Sequence, residues 1–406
     1  MSLPLSDVRV VDCGQFLAGP LVATFMADMG ADAIKIEEPT GETYRTSRRE
    51  LNGQGYNPAF ELFNRNKRSL ALDLKTDEGY EAITSLLEKS DIFVQNWPPG
   101  VAERLGLDYE TVRDLNEDIV YVHVTGYGET GPMANAPGMD TIAQHVSGFS
   151  SMLGYDDDRP PIRSQSSLAD FFAAYSATLS AMGALRQVDR GESGQKVDVS
   201  LLEALAHNMD GAFEFYNNLG EVPYRAGRSA FYNENLLYGA AEAADGWVCV
   251  ALLLYSERVW NAFCDLLDRD DLREEYPTDA DRLEDAGMLT DLFEDWLAEQ
   301  PTEEAVEMLN EAGIPAAKHN TVAEAAELDH MAARDVFRTV EHPRFGEVTL
   351  TDSPLDLSET PIREPEHSPL LGEHSREVLA ELGYSEAEID ALVEDAVVVE
   401  DAGYGE

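Results

Sequence analysis

The order of the first predicted elements restricts the fold more than any other feature. Val8 to Asp12 predict an apolar strand, residues 13–20 a loop, Leu21 to Met29 a helix that stops at Gly30, and Ala33 to Glu37 a second strand. These elements form a βαβ unit, in which both strands lie parallel in one sheet and ligands bind at their carboxyl ends. The loop has two glycines and lacks the three-glycine dinucleotide fingerprint, which argues against a nicotinamide enzyme.

Alternating strands and helices continue to about residue 130, which predicts an α/β fold. The further elements are strands at Leu70 to Leu74, Ile92 to Gln95, Ile119 to Thr125 and Phe345 to Leu350 and helices at Tyr80 to Lys89, Ser375 to Leu382 and Ser385 to Glu394. Residues 137–166 predict a long loop, and loops of this length in compact domains are usually functional. From 236 to 313 a strand-turn-strand pattern is followed by acidic amphipathic helices, which predicts a second, smaller domain.

The stretch Ser166 to Val188 places one acid, Asp170, at the start of an apolar helix. Small and apolar residues recur after it at helical spacing, so we expect burial over most of the helix circumference. One interpretation is that Asp170 caps the helix by accepting hydrogen bonds from the first-turn amides. The other is a carboxylate nucleophile, which the helix dipole would keep ionised.

The charge balance excludes several partners. The chain has 78 acidic and 29 basic residues, a net charge of -49, and 44% hydrophobic residues, which indicates a folded protein with a strongly acidic surface. Abundant Asp and Glu beside only six Lys are typical of cytoplasmic proteins of extreme halophiles. A nucleic-acid partner is not expected, because phosphate binding needs a basic surface.

Cysteine usage and hydropathy indicate the compartment. Cys13, Cys249 and Cys264 lack paired metal-ligand spacing, so neither a disulfide framework nor a zinc or other metal site is predicted. We expect a reducing, cytoplasmic location. No signal peptide is recognised, and no segment of about twenty apolar residues predicts a membrane span.

Basic residues cluster between positions 35 and 75, which is unusual in so acidic a chain. The cluster comprises Lys35, Arg45, Arg48, Arg49, Arg65, Lys67, Arg68 and Lys75. It can bind a phosphate-bearing ligand or pair with neighbouring acids, and both alternatives stay open. The segment Asn96 to Pro99 predicts a rigid polar and aromatic corner that can hold a purine ring or pack in the core. His123 and His145 belong to no nucleophile motif and are interpreted as structural.

Several motifs together resemble family III coenzyme A transferases, which include formyl-CoA:oxalate and carnitine CoA-transferases, with α-methylacyl-CoA racemase as a relative. The motifs are GADAIKIEEPTGETYR (30–45), NRNKRSLALDLK (64–75), SDIFVQNWPPGVAERLGL (90–107), TGYGETGP (125–132), GMDTIAQHVSG (138–148), GQKVDVSLLEA (194–204), AADGW (243–247), GIPAAKHNTVAE (313–324) and SPLLGEHSREVLAELGY (368–384). They cover nearly the whole chain in the family's order.

The resemblance implies a Rossmann-like large domain built from both chain ends, a smaller α+β middle domain and an interlocked homodimer. The large domain would comprise residues 1–207 and the C-terminal part of residues 326–406. The first part of 326–406 would be a linker that returns from the small domain. A linker at 208–227 would lead to the small domain at 228–325.

The resemblance also implies roles for individual residues, with Asp170 as the nucleophile. The implied CoA contacts are Leu17, Ala18, Leu72, Asp73, Leu74, Lys75, Asn96, Trp97, Pro98 and Arg104. The candidates for substrate contacts are Arg45, Arg48, Asp140, Gln144, Arg225 and Arg228, the arginines being suited to a distal carboxylate. The chain departs from the family pattern at Glu38, where some members have Arg, and at 228–235, where oxalate enzymes have a glycine-rich loop.

The implied reaction transfers CoA through an aspartyl anhydride and an aspartyl-CoA thioester, without a metal or other cofactor. Succinyl-CoA is the expected donor and a dicarboxylate such as mesaconate the expected acceptor. The alternatives are an acyl-CoA racemase and a non-catalytic CoA-binding protein. Racemisation needs a second base, and Met139 stands where the racemase has His.

Overall fold

The computed structural model describes residues 2–46, 50–51, 53–229 and 236–400. The strands are β1 (Arg9–Asp12), β2 (Asp32–Glu37), β3 (Glu50–Leu51), β4 (Gln54–Gly55), β5 (Arg68–Leu72), β6 (Ile92–Gln95), β7 (Val120–Thr125), β8 (Lys196–Ser200), β9 (Tyr238–Ala243), β10 (Gly246–Ala251), β11 (Ala316–Lys318), β12 (Phe337–His342), β13 (Gly346–Thr351) and β14 (Val398–Val399).

The helices are α1 (Ala18–Asp28), α2 (Pro58–Asn64), α3 (Asp77–Leu87), α4 (Val101–Leu105), α5 (Tyr109–Leu115), α6 (Asp140–Val146), α7 (Leu168–Val188), α8 (Leu201–His207), α9 (Ala212–Leu219), α10 (Glu257–Leu267), α11 (Asp271–Glu275), α12 (Asp279–Glu284), α13 (Ala286–Leu297), α14 (Thr302–Ala312), α15 (Val322–Ala326), α16 (Asp329–Ala333), α17 (Ser375–Leu382) and α18 (Glu386–Glu394).

The chain divides into two compact units. The first unit contains Met1–Ser147, Gln165–Asn208 and Asp329–Glu406, and the second contains Gly148–Ser164 and Met209–Leu328. Residues 148–164, which the sequence placed in the large domain, thus belong to the second unit. The segment predicted as a linker, 208–227, contains helix α9.

The main sheet of the first unit has the strand order β14-β5-β2-β1-β6-β7-β8. All neighbouring strands are parallel except β14, which comes from the C-terminal end and runs antiparallel to β5. The predicted α/β fold with a parallel sheet, built from both chain ends, is confirmed. The chain leaves β1 in one direction through β2 and returns to its other side at β6. The carboxyl ends of β1 and β6 therefore flank a topological switch point, where such folds bind ligands.

Apolar residues explain why these strands lie in the middle of the sheet. Val10, Val11, Ile34, Phe93 and Val122 are completely buried, as expected for parallel strands with both faces covered. Helix α1 begins at Ala18, three residues earlier than predicted, because a proline in the first turn needs no hydrogen-bond donor.

The second unit has an antiparallel sheet in the order β11-β10-β9, accompanied by helices α10 to α14. The predicted strand-turn-strand pattern is confirmed by β9 and β10. The core of this unit contains Trp260, Phe263 and Phe293. In the first unit, the predicted strand at 345–350 is β13, and its partner β12 was missed because its sequence, FRTVEH, is largely polar.

Helix α7 differs from the prediction of burial over most of its circumference. Its buried residues are alanines, from Ala169 to Ala184, whereas the side chain of Leu179 is 76% exposed. By length and composition alone, α7 is apolar enough to cross a membrane, a test that core helices also pass. Its alanine face packs against α1, β7 and β8 of the first unit, and core helices commonly have this composition.

Candidate active site

Asp170 lies in the first turn of α7, and its side chain is half-buried. The interpretation of Asp170 as the helix cap is wrong, because another acid has this role. The N–H of Ala169 donates to Oδ1 of Asp140 at 2.9 Å, and the side chain of Ser167 at the N-cap position makes no capping bond. The amino end of α7 is thus held by a carboxylate from α6, which leaves the Asp170 carboxyl for another use.

Gln144 fixes the capping acid. Its Nε2 donates to Oδ2 of Asp140 at 2.7 Å and to the carbonyl of Ser166 at 3.3 Å. The loop from β7 reaches this position through two glycines in contact, since a Cβ on Gly126 would lie 2.5 Å from the Cα of Gly138. Asp140 and Gln144, predicted as substrate contacts, therefore position the helix that carries Asp170.

The electrostatic environment of Asp170 is unfavourable to its charge. Burial raises the pKa of Asp170 to about 7, and the negative charge of Asp140 adds to the effect. In the described part of the chain, no cation forms an ion pair with this carboxyl. The prediction that the helix dipole keeps Asp170 ionised fails, because desolvation outweighs the dipole. A desolvated carboxylate that titrates near neutrality is suited to nucleophilic attack.

Asn96 joins the two strands that flank the switch point. Its side chain accepts from the N–H of Gln15 and donates to the carbonyl of the same residue, both at 2.8 Å. The loop after β1, which leads to the buried residues Leu17 and Ala18 at the start of α1, is thereby fixed to the end of β6. The structure thus brings together the predicted CoA contacts Leu17, Ala18 and Asn96 to Pro98.

The predicted contacts Leu72 to Lys75 comprise the last residue of β5 and the three residues after it. Oδ1 of Asp73 accepts from the N–H of Lys75 at 3.0 Å, which fixes the turn. The side chains of Lys75 and Arg104 are exposed, and neither forms an ion pair within the described ranges. Both cations are therefore available to phosphate groups.

A cavity of about 400 Å³ lies beside β6 and β7. The predicted contacts Trp97 and Pro98 form part of its wall, together with Tyr109, Tyr121, His123 and Lys196. Nδ1 of His123 lies 2.7 Å from Oε1 of Glu129, and Nε2 lies 3.4 Å from the carbonyl of Trp97. These contacts agree with the interpretation of His123 as structural.

Most basic residues of the cluster at 35–75 form ion pairs with acidic residues. The pairs are Lys35 with Glu42, Arg45 with Glu37, Arg65 with Asp28, Lys67 with Asp12 and Arg68 with Asp32. For these five cations the ion-pair alternative is confirmed and the phosphate alternative is wrong. Arg48 and Arg49 lie outside the described residues.

Arg45 requires a further correction as a candidate for the distal carboxylate. Its side chain is only 3% exposed, pairs with Glu37 through two nitrogens and donates to the carbonyl of Pro369 at 2.9 Å. A buried guanidinium in this position supports the fold, because Glu37 would otherwise be a buried, unpaired charge.

The remaining two arginine candidates belong to the second unit. Arg228, predicted as a candidate partner of the distal carboxylate, forms an ion pair with Glu294 instead. Arg225 donates to the carbonyl of Arg159 at 2.8 Å and forms no ion pair among the described residues. Residues 230–235 of the segment that replaces the glycine-rich loop lie outside the described residues.

Tyr44 is a neighbour of Asp170 that the sequence analysis missed. Burial raises the pKa of its phenol, and the charges of Asp170 and Glu42 raise it further. The only signal in the sequence was its place in the motif GETYR, two residues after Glu42.

Comparison with known proteins agrees with the geometry. The model of CoA-transferase family III matches residues 5–375. A succinyl-CoA:mesaconate CoA-transferase of Haloarcula hispanica is 33% identical over 387 residues, which cover 93% of this chain and 96% of that protein. A formyl-CoA:oxalate CoA-transferase of Streptomyces avermitilis is 31% identical over 416 residues, covering 98% and 100%. The crystal structure of a CaiB/BaiF family protein from Brucella suis is similar with a TM-score of 0.81 and 28% identity, covering 94% and 100%.

Proposed function

The chain belongs to family III of the CoA-transferases, and from this premise we propose that it transfers CoA from succinyl-CoA to a small dicarboxylic acid such as mesaconate. The acids named for the two relatives above, mesaconate and oxalate, are both dicarboxylates. The observation that carries the proposal is the half-buried Asp170 carboxyl, which has no cationic partner in the described residues and has a pKa near 7.

The proposed reaction begins when a carboxylate oxygen of Asp170 attacks the thioester carbonyl of the donor. The C–S bond breaks, which gives a mixed anhydride and CoA thiolate. The thiolate then attacks the Asp170 carbonyl, forms an aspartyl-CoA thioester and releases the donor acid as a carboxylate. The acceptor carboxylate attacks the carbonyl of this thioester, the C–S bond breaks, and a second mixed anhydride and CoA thiolate form. The thiolate then attacks the acceptor acyl carbonyl of this anhydride, which gives the acceptor thioester of CoA and releases the Asp170 carboxylate. No proton is gained or lost in sum.

The environment of Asp170 favours this chemistry. A carboxylate without a counter-charge in a half-buried site is destabilised relative to water. In the anhydride and in the thioester, residue 170 carries no charge, so the desolvation cost is relieved as the covalent bond forms. The reactive state of the free enzyme is the deprotonated one, and transfer should therefore increase as the pH rises through about 7.

We assign the CoA moiety to the carboxyl edge of the main sheet. Lys75 and Arg104 supply cations for the phosphates. The exposed Pro98 and the rim of Trp97, which is otherwise buried in the core, line the cavity beside β6 and supply an apolar surface for the adenine. For the far carboxylate of the acceptor, Arg225 stays the candidate, since among the described residues its guanidinium donates only to backbone carbonyl oxygens. Arg225→Ala should raise KM for dicarboxylates and leave monocarboxylates little changed.

The racemase alternative has less support in the site. Asp140 is occupied by Ala169 and Gln144, and Met139, at the position of the racemase His, has no basic group. A pair of free bases on opposite faces of an α-carbon is thus not provided by these residues.

We further propose the interlocked homodimer that the family resemblance implies. Leu179 and Tyr175 are large apolar residues of α7 with exposed side chains, and a partner subunit would cover them. Sedimentation should give a dimer, and Leu179→Glu should weaken it.

Two measurements test the proposed function. Incubation with succinyl-CoA and hydroxylamine should convert Asp170 to a hydroxamate that peptide mass spectrometry can locate; a non-catalytic CoA-binding protein would give none. A panel of carboxylic acids with succinyl-CoA as donor should then show the highest kcat/KM for C4 and C5 dicarboxylates. Equal rates with monocarboxylates of the same length would rule out the dicarboxylate assignment.

A further inference from the structure

The backbone of Gly14 and Gln15, in the loop after β1, is fixed by side chains from three different segments. The N–H of Gly14 donates to Oδ1 of Asp12 at 2.8 Å, and its carbonyl accepts from Nζ of Lys35 at 3.1 Å. Gln15 is bonded through both backbone groups to Asn96. The conformation of the next residue, Phe16, is therefore imposed by its surroundings.

Phe16 adopts a conformation that is rare for a bulky residue. Its φ is 62°, in the left-handed region, and its N–H donates to Oε2 of the buried Glu42 at 3.2 Å. The result is a phenyl ring that is 51% exposed next to the switch point. A strained residue persists only where its surroundings determine it, and such residues are concentrated at functional sites.

An aromatic row connects Phe16 with the helix of Asp170. The ring of Phe16 lies 5.7 Å from that of Tyr44, Tyr44 lies 6.4 Å from Phe63, and Phe63 lies 6.0 Å from Phe171, the residue after Asp170. The backbone of Tyr44 is also fixed, because Asn57 donates to its carbonyl at 2.6 Å. Two half-exposed rings thus lie between the CoA loop and the nucleophile.

We propose that Phe16 and Tyr44, which we call the aromatic wall, contact the acyl group of the bound thioester and select acids with a planar, unsaturated skeleton. This inference rests on the proposed function, since it places the acyl group at Asp170. Among the described cations of the first unit, Lys35, Arg45 and Lys67 are buried in ion pairs. The wall therefore offers the acyl group flat π surfaces, which favour planar groups over flexible ones.

The test compares matched planar and saturated acceptors. With succinyl-CoA as donor, kcat/KM is measured for mesaconate against methylsuccinate and for crotonate against butyrate. The parent should prefer the planar acid of each pair. Tyr44→Leu and Phe16→Leu should each reduce that preference about two- to tenfold, mainly through KM, which is the size expected for one aromatic contact. Tyr44→Phe should keep it.

Tyr255→Leu serves as the matched control, because Tyr255 is an exposed aromatic residue of the second unit outside the proposed machinery. A parent that does not discriminate within either pair would overturn the inference, as would Leu variants that keep the parental ratio. In both cases hydroxylamine trapping at Asp170 would still succeed, which distinguishes failure of the wall from failure of the transferase. If Tyr44→Leu does not fold, the ratio of kcat/KM between the planar and the saturated acid still decides the question, measured for the parent, Phe16→Leu and Tyr44→Phe.

Discussion

Two regions of the first unit bury carboxylates in opposite ways. Around β1 and β2, Asp12 lies 2.8 Å from Lys67, Asp28 lies 2.6 Å from Arg65, and Glu37 pairs with Arg45. At the first turn of α7, Asp170 has a second acid as its charged neighbour. Burial costs free energy in both regions, but only the first region compensates for it. The comparison indicates that paired charges hold this part of the fold together, whereas the carboxyl without a cationic partner is the one that we propose as the nucleophile.

The largest effect should come from removing the unpaired charge. Asp170→Asn should reduce transfer by about 10³-fold or more, since an amide cannot form the anhydride. In the folded protein the pKa of Asp170 is raised to about 7, whereas the ordinary pKa of an aspartate is 3.8. As the pH rises from about 4 to about 7, the unfolded state loses this proton first, so the Asp170 side chain increasingly destabilises the folded state. The Asp170→Asn variant should therefore unfold at a higher temperature than the parent at pH 8 but not at pH 4.

Asp189→Asn is the matched control, because Asp189 is an exposed acid at the other end of α7. Thermal unfolding and transfer assays at both pH values check the prediction. Near-parental turnover in Asp170→Asn would end the proposed mechanism.

A paired charge should behave in the opposite way. Lys67→Met leaves Asp12 buried without its cation and should lower the free energy of unfolding by about 3 to 5 kcal/mol. Nζ of Lys67 also donates to the carbonyls of Pro20 and Phe63, which adds to the loss. Urea unfolding measures the change in the free energy of unfolding. The control is Arg159→Met, which removes an exposed ion pair with Asp157 and should change this free energy little. Equal losses in the two variants would contradict the distinction between these regions.

A smaller effect should follow from changing the neighbour of Asp170. Asp140→Asn keeps an oxygen that can accept from Ala169 and removes the negative charge. The pKa of Asp170 should fall, and the acidic limb of the pH profile of kcat/KM should move below the parental position near pH 7. Asp140→Ala should in addition lose the helix cap, at a cost of about 1 kcal/mol. An unmoved limb in both variants would show that Asp140 does not act on Asp170.

Ionic strength should have the smallest effect per charged group. With a net charge of -49, the exposed acids repel one another in dilute buffer, and molar salt shortens the screening length from about 30 Å at about 0.01 M to about 3 Å. Activity and the unfolding temperature should therefore fall as salt is removed, whereas the buried pairs are screened much less. Full activity after dialysis into dilute buffer would contradict the halophilic interpretation.

Much of the fold was predictable because its signals are local. The βαβ spacing of the first forty residues predicts the parallel sheet, and apolar runs mark β1, β2, β6 and β7. Strand β12 was missed because polar residues alternate along it. Motif order across the chain was sufficient for the family and for Asp170 as the candidate nucleophile.

The partners of the charged residues were decided only by the tertiary structure. Lys67 and Asp12 are 55 positions apart, and Asp140 and Ala169 are 29 apart, so no local pattern relates them. The basic residues at 35–75 were compatible both with a phosphate site and with ion pairs. The sequence shows which residues are charged, but it does not show how far each cation lies from an acidic side chain. The pKa of Asp170 depends on how much water the packed first unit excludes, which the sequence does not encode locally. The sequence by itself therefore determined the fold, the family and the identity of the candidate nucleophile, whereas tertiary packing decided which of the buried charges are neutralised by a partner and that Asp170 is not among them.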